Sequence, residues 1–259
     1  MDPGRRFSTE VIAHRGFSAE APENTLAALE AAIVCGADRV ELDVQLTRDG
    51  VPIVFHDDTL ERTTDGRGDV GAFTFAELRL LDAGSWHGPR FRGERVPSLD
   101  EALVLLGGRM AMNVELKRRA GEDRALPRLE EEVLLALERH SVDRSVIVSS
   151  FDALALQRVR RLRPDVVLET LHDEAGGPPG PAAIRAARAA GSSGINVSVE
   201  ELEGAPGLVA EAHAAGLTIK VYTADDPERL ERLLRLGVDG IFTNRPDVLL
   251  EIVRRPRVP

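Results

Sequence analysis

The stretch Glu41–Asp58 reads ELDVQLTRDGVPIVFHDD and contains two apolar runs separated by a turn. Alternation along an extended strand places Glu41 and Asp43 on one face and their apolar neighbours on the other. The sequence RDG at 48–50 is typical of a turn between strands, so the second run is predicted to return as a hairpin. A symmetric hairpin centred between the last two turn residues returns His56 opposite Asp43. A strand, and not a helix, therefore follows the first run.

Outward from this stretch, short apolar runs alternate with amphipathic helical patterns along the whole chain. Parallel strands joined by crossover helices produce such an alternation. Eight strands of this kind close a barrel, so the sequence predicts an α/β fold, the (β/α)8 TIM barrel. An open doubly wound sheet is the alternative, but its usual G-x-G-x-x-G turn does not follow the first strand. The predicted strands are 10–14, 39–44, 110–116, 145–150, 165–171, 194–199, 217–223 and 240–244.

The helical patterns between these strands carry end signals at both termini. Glycine is frequent just after a helix, and aspartate is frequent at the residue before the first helical turn. The predicted helices are 24–36, 129–140, 152–164, 181–191, 207–216 and 226–237, with Asp152 and Asp226 as N-caps and Gly36, Gly191, Gly216 and Gly237 after C-termini.

One segment interrupts the alternation of strands and helices. After the hairpin, about 40 turn-rich residues precede the next helical pattern, and an insertion of this length in a compact domain is usually functional. The sequence therefore predicts a single domain over 1–259, in which residues 57–97 form a small insertion subdomain over the barrel mouth.

Composition excludes several classes of protein. The net charge is −10, with 33 basic and 43 acidic residues, which disfavours a nucleic-acid binder. The chain has one cysteine, Cys35, so it cannot form an internal disulfide. The first 16 residues lack the apolar run of a signal peptide, and the sequence has no run typical of a membrane span. We expect a cytoplasmic protein without stable membrane insertion; the sequence leaves its oligomeric state open.

Three carboxylates follow or interrupt apolar runs near strand ends. Glu41 and Asp43 share one strand, and Glu115 lies in the motif NVELK on the next predicted parallel strand. The carboxyl ends of barrel strands form the active-site face. Buried carboxylates need compensating cations, and a set of oxygen ligands suits Mg²⁺ or Ca²⁺ better than zinc. The sequence therefore predicts a site for a divalent cation at this face.

Basic side chains are predicted at the same barrel face. His14 and Arg15 follow the first strand, His56 ends the hairpin, and Lys117 follows the third barrel strand. Two histidines beside a cation are suited to general acid and general base catalysis. Arg15 and Lys117 would supply positive charge to a phosphate. Each feature alone is common on exposed strand ends, and the hypothesis depends on the combination.

An ordered series of motifs resembles the glycerophosphodiester phosphodiesterase family. The motifs are HRG at 14–16, PENT at 22–25, ELDVQLTRDGVPIVFHDDTLERTTDGRG from Glu41, VPSLDEAL, NVELK and DGIFTNRPD. They follow the family's order over nearly the whole chain.

The resemblance implies a fold, a reaction and residue roles. It implies metal-dependent hydrolysis of glycerophosphodiesters, which are small-molecule substrates, to sn-glycerol 3-phosphate and an alcohol. In the family, the positions matching His14 and His56 form the acid and base pair. Those matching Arg15 and Lys117 contact the phosphate. The carboxylates matching Glu41, Asp43 and Glu115 hold Mg²⁺ or Ca²⁺.

The chain departs from the family pattern near the seventh barrel strand. It has VYTAD at 221–225 where the family often has VWTVN, so Tyr222 replaces a larger ring and Asp225 replaces an amide. Aromatic residues are 4% of the chain, which leaves few candidates for side chains that line the substrate pocket. We expect Phe151 and Tyr222 to contact the substrate. His87 and His172 are secondary candidates.

Other functions remain open at this point. A lysophospholipase D would need an apolar groove leading to the mouth, and the insertion offers little of one. A non-catalytic barrel that binds phosphorylated ligands would be marked by loss of a histidine or carboxylate, and none is lost. An aldolase-like barrel using Lys117 as a Schiff base does not explain two histidines and three acids. The identity of the attacking group, water or a neighbouring glycerol hydroxyl, is not determined by the sequence.

Overall fold

The structure is a computed structural model that describes residues 9–118, 128–142, 146–172 and 180–255. The N-terminal residues 1–8, part of the stretch interpreted as lacking a signal peptide, lie outside the described residues, as does the first residue of the predicted strand 145–150. The strands are β1 (Glu10–Ala13), β2 (Arg39–Leu46), β3 (Pro52–Val54), β4 (Ala111–Leu116), β5 (Val146–Ser150), β6 (Val167–His172), β7 (Gly194–Ser198), β8 (Thr218–Tyr222) and β9 (Gly240–Thr243).

Eight of these strands form a closed parallel barrel. The hydrogen-bonded order is β1-β9-β8-β7-β6-β5-β4-β2-β3, and β1 also pairs in parallel with β2, which closes the ring. Strand β3 is attached to β2 in antiparallel orientation. The predicted (β/α)8 barrel with an insertion after its second strand is therefore confirmed, and the open sheet is excluded.

Helices connect the barrel strands and cover the outside. Asp152 and Asp226 accept hydrogen bonds from backbone N–H groups in the first turns of their helices, as predicted for N-caps. Gly216 lies one residue beyond the C-cap of its helix, whereas the other three predicted glycines are C-caps. The helices are α1 (Leu26–Cys35), α2 (Phe75–Leu78), α3 (Leu99–Leu106), α4 (Arg128–Arg139), α5 (Ala153–Leu162), α6 (Pro181–Ala190), α7 (Val199–Gly204), α8 (Leu208–Ala214), α9 (Pro227–Leu236) and α10 (Pro246–Arg254).

The hairpin between β2 and β3 differs by one residue from its predicted register. Val44 pairs with Val54, and the N–H of Phe55 donates to the carbonyl of Asp43, so Phe55 and not His56 lies opposite Asp43. The reason is a three-residue loop, in which Gly50 adopts a left-handed φ of 82°. The turn is therefore centred on one residue, not between two.

The hydrophobic core lies between the barrel and its helices. Val40, Leu42 and Val44 of β2 face this core, as their alternation with Glu41 and Asp43 predicts. A separate apolar cluster joins the end of the hairpin to the insertion and includes Phe55 of the hairpin and Leu60 of the insertion. The domain limits 1–259 and the mouth position of 57–97 stay predictions. Among the helices within the described ranges, none combines the length and apolar character that a bilayer crossing requires.

Charged side chains fill the amino-terminal part of the barrel interior. Lys220 Nζ lies 2.7 Å from Glu169 Oε1 and 3.2 Å from Glu10 Oε2. Arg39 Nε lies 2.9 Å from Glu10 Oε1. These groups come from four strands, and their opposite charges compensate one another where isolated charges would be costly.

Candidate active site

Three carboxylates meet at the carboxyl end of the barrel. In the parallel pairing of β2 with β4, Asp43 lies beside Glu115, and Glu41 faces the same side one alternation earlier. One oxygen atom from each of Glu41, Asp43 and Glu115 lies within 4.8 Å of the other two. All three residues are at most 9% exposed. The structure therefore brings together the three residues predicted as metal ligands.

The electrostatics of this cluster fit a divalent cation. Burial and then the neighbouring Asp43 raise the pKa of Glu41 well above its usual range, and the same two causes raise the pKa of Glu115 to about 7. Glu41 Oε1 is buried and has no hydrogen-bond partner within the described residues. An oxygen set that is crowded, buried and partly unpaired is one that Mg²⁺ or Ca²⁺ would stabilise.

Arg15 and Lys117 lie against the carboxylates. Arg15 Nε is 3.3 Å from Asp43 Oδ2, and Lys117 Nζ is 3.0 Å from Glu115 Oε1 and 3.7 Å from Asp43 Oδ1. Burial favours the neutral form of Asp43, but the charge of Arg15, followed by those of His56 and Lys117, keeps its pKa below the usual range. Two cations thus share the site with three acids.

A sharp turn after β1 directs the backbone of Arg15 into the cluster. Arg15 has a φ of 58°, and its N–H donates to Glu41 Oε2 over 2.8 Å. The next residue, Gly16, has a φ of 83°, and a Cβ there would lie 2.6 Å from the carbonyl carbon of Ala28. Only glycine fits this close approach to α1. The HRG motif is therefore required by backbone geometry as well as by side-chain chemistry.

The loop before α1 contributes a further polar contact. Asn24 Nδ2 donates to Asp43 Oδ2 over 2.8 Å, and the N–H of Asp43 donates to Asn24 Oδ1 over 3.3 Å. Thr25 caps the amino terminus of α1 through a bond to the N–H of Ala28. The PENT motif thus orients Asp43 and begins α1.

His14 is held by an amide of the last barrel strand's loop. His14 Nδ1 lies 2.8 Å from Asn244 Oδ1. Asn244 donates to Asp225 through both its side-chain Nδ2 and its backbone N–H, each over 2.7 Å. Because Nδ2 donates to a carboxylate, Oδ1 must accept, so His14 Nδ1 carries the proton. The Nε2 atom of the neutral ring is then the one with a free lone pair.

The neutral form of His14 is favoured by its surroundings. Burial, followed by the positive charge of Arg15, lowers the pKa of His14 to about 4. A neutral imidazole with a free Nε2 lone pair is the form that can accept a proton.

His56 is held by a carboxylate of the insertion. His56 Nδ1 lies 2.6 Å from Asp57 Oδ1. The hydrogen bonds from Arg62 are the largest cause that lowers the pKa of Asp57, to about 2, so Asp57 is an anion at neutral pH. An anionic carboxylate can only accept a hydrogen bond, so Nδ1 of His56 donates to Asp57 and the orientation of the ring is fixed.

The two aromatic candidates contact each other at the carboxyl ends of β5 and β8. Phe151 and Tyr222 form an edge-to-face pair with ring centroids 6.1 Å apart, and Phe151 is 45% exposed. The hydroxyl of Tyr222 donates to the carbonyl of His172 over 2.6 Å. That hydroxyl therefore anchors the ring to β6.

The remaining histidines have partners away from the carboxylate cluster. His172 Nδ1 lies 2.7 Å from Glu201 Oε1 in a buried pair, and His87 Nε2 lies 3.3 Å from the carbonyl of Ser18. His140 pairs with Asp100, and His213 pairs with Asp239. Substrate contacts of His87 and His172 stay predictions.

Sequence reasoning did not assign roles to several residues of this network. The motifs PENT and TNRP contain Glu23, Asn24 and Asn244, whose roles the sequence does not predict. For Asp225 the sequence shows only that an acid replaces the amide frequent in the family. The shared signal was polar side chains in loops that follow or precede barrel strands, which is where function concentrates in this fold.

A family model and several known proteins match this chain. The model described as the glycerophosphoryl diester phosphodiesterase family matches residues 14–248. A glycerophosphodiester phosphodiesterase of Caldanaerobacter subterraneus is 38% identical over 250 residues, which are 96% of this chain and 99% of that protein.

Solved structures show the same fold over nearly the whole length. A phosphodiesterase of Oleispira antarctica, in complex with the product sn-glycerol-3-phosphate, has a TM-score of 0.87 and 32% identity, with coverage of 95% of this chain and 97% of that one. A glycerophosphodiester phosphodiesterase of Agrobacterium tumefaciens has a TM-score of 0.79 and 32% identity, with coverage of 94% and 99%.

Proposed function

Because this chain belongs to the glycerophosphoryl diester phosphodiesterase family, we propose that it hydrolyses glycerophosphodiesters to sn-glycerol 3-phosphate and an alcohol. The observation that carries the proposal is the convergence of Glu41, Asp43 and Glu115, with Arg15 and Lys117 in contact with them. With a divalent cation bound to the three carboxylates, this set would carry a net positive charge, which compensates the negative charge of a phosphodiester in a partly buried place. The complex of the Oleispira antarctica phosphodiesterase with sn-glycerol-3-phosphate supports the same product here.

The three carboxylates would hold Mg²⁺ or Ca²⁺. A divalent cation bound there supplies positive charge to the non-bridging phosphate oxygens as charge builds on them. Glu41 and Asp43 would bind it from one strand and Glu115 from the next. The chain's own contribution is to fix these oxygens through the N–H of Arg15 and the amide of Asn24.

Arg15 and Lys117 would bind the phosphate from beside the carboxylates. Their pKa values are raised, because the neighbouring acids favour the charged forms more than burial disfavours them. Both side chains therefore stay cationic throughout the physiological pH range. When a phosphate enters, Arg15 and Lys117 can release their carboxylate partners and bind the phosphate oxygens.

His14 and His56 would divide the proton transfers. We assign His14 as the general base, because its ring is neutral and its Nε2 lone pair is free. We assign His56 as the general acid, because His14 takes the role of the base and the bond from Nδ1 of His56 to Asp57 fixes the second ring in the site. His14 would then accept a proton from the attacking oxygen, and His56 would donate one to the departing alkoxide. The attacking oxygen belongs to water or to a glycerol hydroxyl.

Phe151 and Tyr222 would contact the substrate outside the phosphate. The pair offers an edge and a face to an organic group at the mouth, and Phe151 is exposed enough to be reached from solvent. A cytoplasmic location, the absence of nucleic-acid binding and the cation used remain predictions from the sequence.

The test is release of sn-glycerol 3-phosphate from glycerophosphocholine and glycerophosphoethanolamine. The wild-type protein is assayed with EDTA, with Mg²⁺ and with Ca²⁺, alongside Glu115→Gln as a variant with an altered carboxylate set. Release that requires a cation and is lost in the variant supports the proposal. A folded wild-type protein that releases nothing with either cation contradicts it, and assays with lysophospholipids would then follow.

A further inference from the structure

We propose that Arg62, a residue of the insertion, is a positioning residue that aligns both His56 and Arg15 through two carboxylates. The hydrogen bonds and ion pairs of Arg62 described by the structure go to Asp57 and Glu23, and it acts on the two basic groups through these carboxylates. This inference rests on the proposed function and adds a role for the insertion in that reaction.

On one side, Arg62 holds the partner of His56. Arg62 Nε donates to Asp57 Oδ2 over 2.6 Å, and Arg62 Nη2 donates to Asp57 Oδ1 over 2.8 Å. The same Oδ1 atom lies 2.6 Å from His56 Nδ1. A carboxylate with both oxygens bound to a planar guanidinium cannot rotate freely, so the bond to His56 has a fixed direction.

On the other side, Arg62 holds the partner of Arg15. Arg62 Nη1 donates to Glu23 Oε2 over 2.7 Å, and Arg62 Nη2 donates to Glu23 Oε1 over 2.8 Å. Glu23 Oε1 also accepts from Arg15 Nη1 over 2.7 Å. Arg15 in turn lies 3.3 Å from Asp43. The guanidinium of Arg62 therefore connects Asp57, which orients His56, with Glu23, which orients Arg15.

The chemistry of the contact requires arginine. Four hydrogen bonds to two carboxylates use the forked, planar arrangement of guanidinium donors, which an ammonium does not have. Arg62 and Arg15 together keep the pKa of Glu23 below its usual range despite burial, so Glu23 remains an anion that can bind both.

Arg62 can also contribute to stability, because bidentate arginine–carboxylate pairs in a network are stronger than isolated surface ion pairs, although its side chain is 46% exposed. A control that also joins the insertion to the barrel therefore has to separate stability from positioning. Arg90 provides a matched control from the same insertion. Its Nη2 atom donates to the carbonyl and to Oε1 of Glu20, each over 2.6 Å, so it also joins the insertion to the loop after β1. The hydrogen bonds and ion pair that the structure describes for Arg90 go to Glu20, and not to Asp57 or Glu23.

The experiment compares Arg62→Ala, Arg62→Lys and Arg90→Ala with the wild type in the cation-loaded protein. We expect Arg62→Ala to lower kcat about 10²-fold through misalignment of His56 and Arg62→Lys to lower it about tenfold, while Arg90→Ala stays within about twofold. Added guanidinium should restore at least part of the activity of Arg62→Ala, whereas methylammonium, which has the charge without the fork, should not. Arg62→Lys supplies the measurement should Arg62→Ala fail to fold.

A second readout does not depend on turnover. Calorimetric titration with inorganic phosphate should show weaker binding to Arg62→Ala than to the wild type and Arg90→Ala, because Arg15 loses its alignment. If the Arg62 variants match Arg90→Ala in both kcat and phosphate affinity, or if both small cations restore activity equally, the positioning role is wrong. A wild-type protein without turnover contradicts the proposed function, and the phosphate titration still decides the role of Arg62.

Discussion

The two histidines of the site are held by different parts of the molecule and by different chemistry. His14 is buried at a barrel strand end and contacts the neutral amide of Asn244. His56 belongs to the hairpin end that enters the insertion, and it contacts the carboxylate of Asp57. The surroundings of His14 disfavour a second proton on its ring, whereas the contact of His56 is with an anion. Under the proposed assignment, the barrel presents the general base and the end of the hairpin presents the general acid.

The largest expected effect distinguishes these two roles. His14→Ala and His56→Ala should each lower kcat for glycerophosphocholine by about 10²–10⁴-fold, since each removes one proton transfer. With a glycerophosphodiester of p-nitrophenol, the leaving group departs without a proton, so His56→Ala should recover much of its activity and His14→Ala should not. Steady-state kinetics on both substrates measure this. The opposite pattern would exchange the two assignments.

The next largest effect concerns the carboxylate at His56. Asp57→Asn should lower kcat by about 10²-fold, because Nδ1 of His56 loses the anionic acceptor that fixes the ring. Asp58→Asn, at the adjacent position, serves as the control and should keep a kcat close to that of the wild type. Steady-state kinetics measure both variants, and equal kcat values would mean that Asp57 does not position His56.

A smaller effect is expected on the side of His14. Asp225→Asn should lower kcat about tenfold, because Asn244 loses the carboxylate that fixes its amide orientation and His14 loses a defined acceptor. Asp247→Asn is the control, since Asp247 pairs with Arg245 and not with Asn244. Kinetics at constant pH measure both variants. Equal activity of the two would show that Asn244 is oriented without Asp225.

The smallest expected effect is on thermal stability, and it tests the cluster of Glu41, Asp43 and Glu115. The pKa of Glu115 is raised from 4.5 to about 7 by folding. Its contribution to the free energy of unfolding is therefore fully present below pH 4.5 and is lost as the pH rises through 7. A bound cation replaces that proton. We therefore expect Mg²⁺ or Ca²⁺ to raise Tm by about 2–4 °C more at pH 8 than at pH 6.5.

The pKa of Glu41 is raised as well, so the comparison with Glu115→Gln is needed to isolate the contribution of Glu115. Asp43 and His14 titrate in other pH ranges. The pKa of Asp43 is below its ordinary value of 3.8, and that of His14 is lowered from 6.5 to about 4. The pH ranges over which these two groups change the stability of the fold therefore lie at or below pH 6.5. Thermal unfolding of the wild type and of Glu115→Gln, with and without cation, makes the measurement. A cation-induced shift that is the same at both pH values would contradict the raised pKa of Glu115.

The barrel could be predicted from the sequence because its signal is local. All eight predicted barrel strands are present, with ends that differ by at most two residues. Alternation also placed Glu41, Asp43 and Glu115 correctly on one face. Helix α3 was not predicted as a helix, although Ser98 and Glu101 form a capping box at its start.

The contacts between distant loops could not be predicted in the same way. Asn244 lies 230 positions from His14, and Arg62 lies 39 positions from Glu23. Alternation and turn signals carry no information about such pairs, which depend on how the closed barrel brings its loops together. The hairpin register was missed for a local reason, because one left-handed glycine changed the loop length and moved His56 by one position.

The charged floor of the barrel has a consequence for the order in which molecules leave. Lys220, Glu169, Glu10 and Arg39 fill the end opposite the mouth, so entrance and exit use the same opening. If the proposed reaction takes place here, only one of its two products retains a phosphate that Arg15 and Lys117 can attract. The alcohol would then be released first, and sn-glycerol 3-phosphate would depart last and compete with incoming substrate for the same ion contacts.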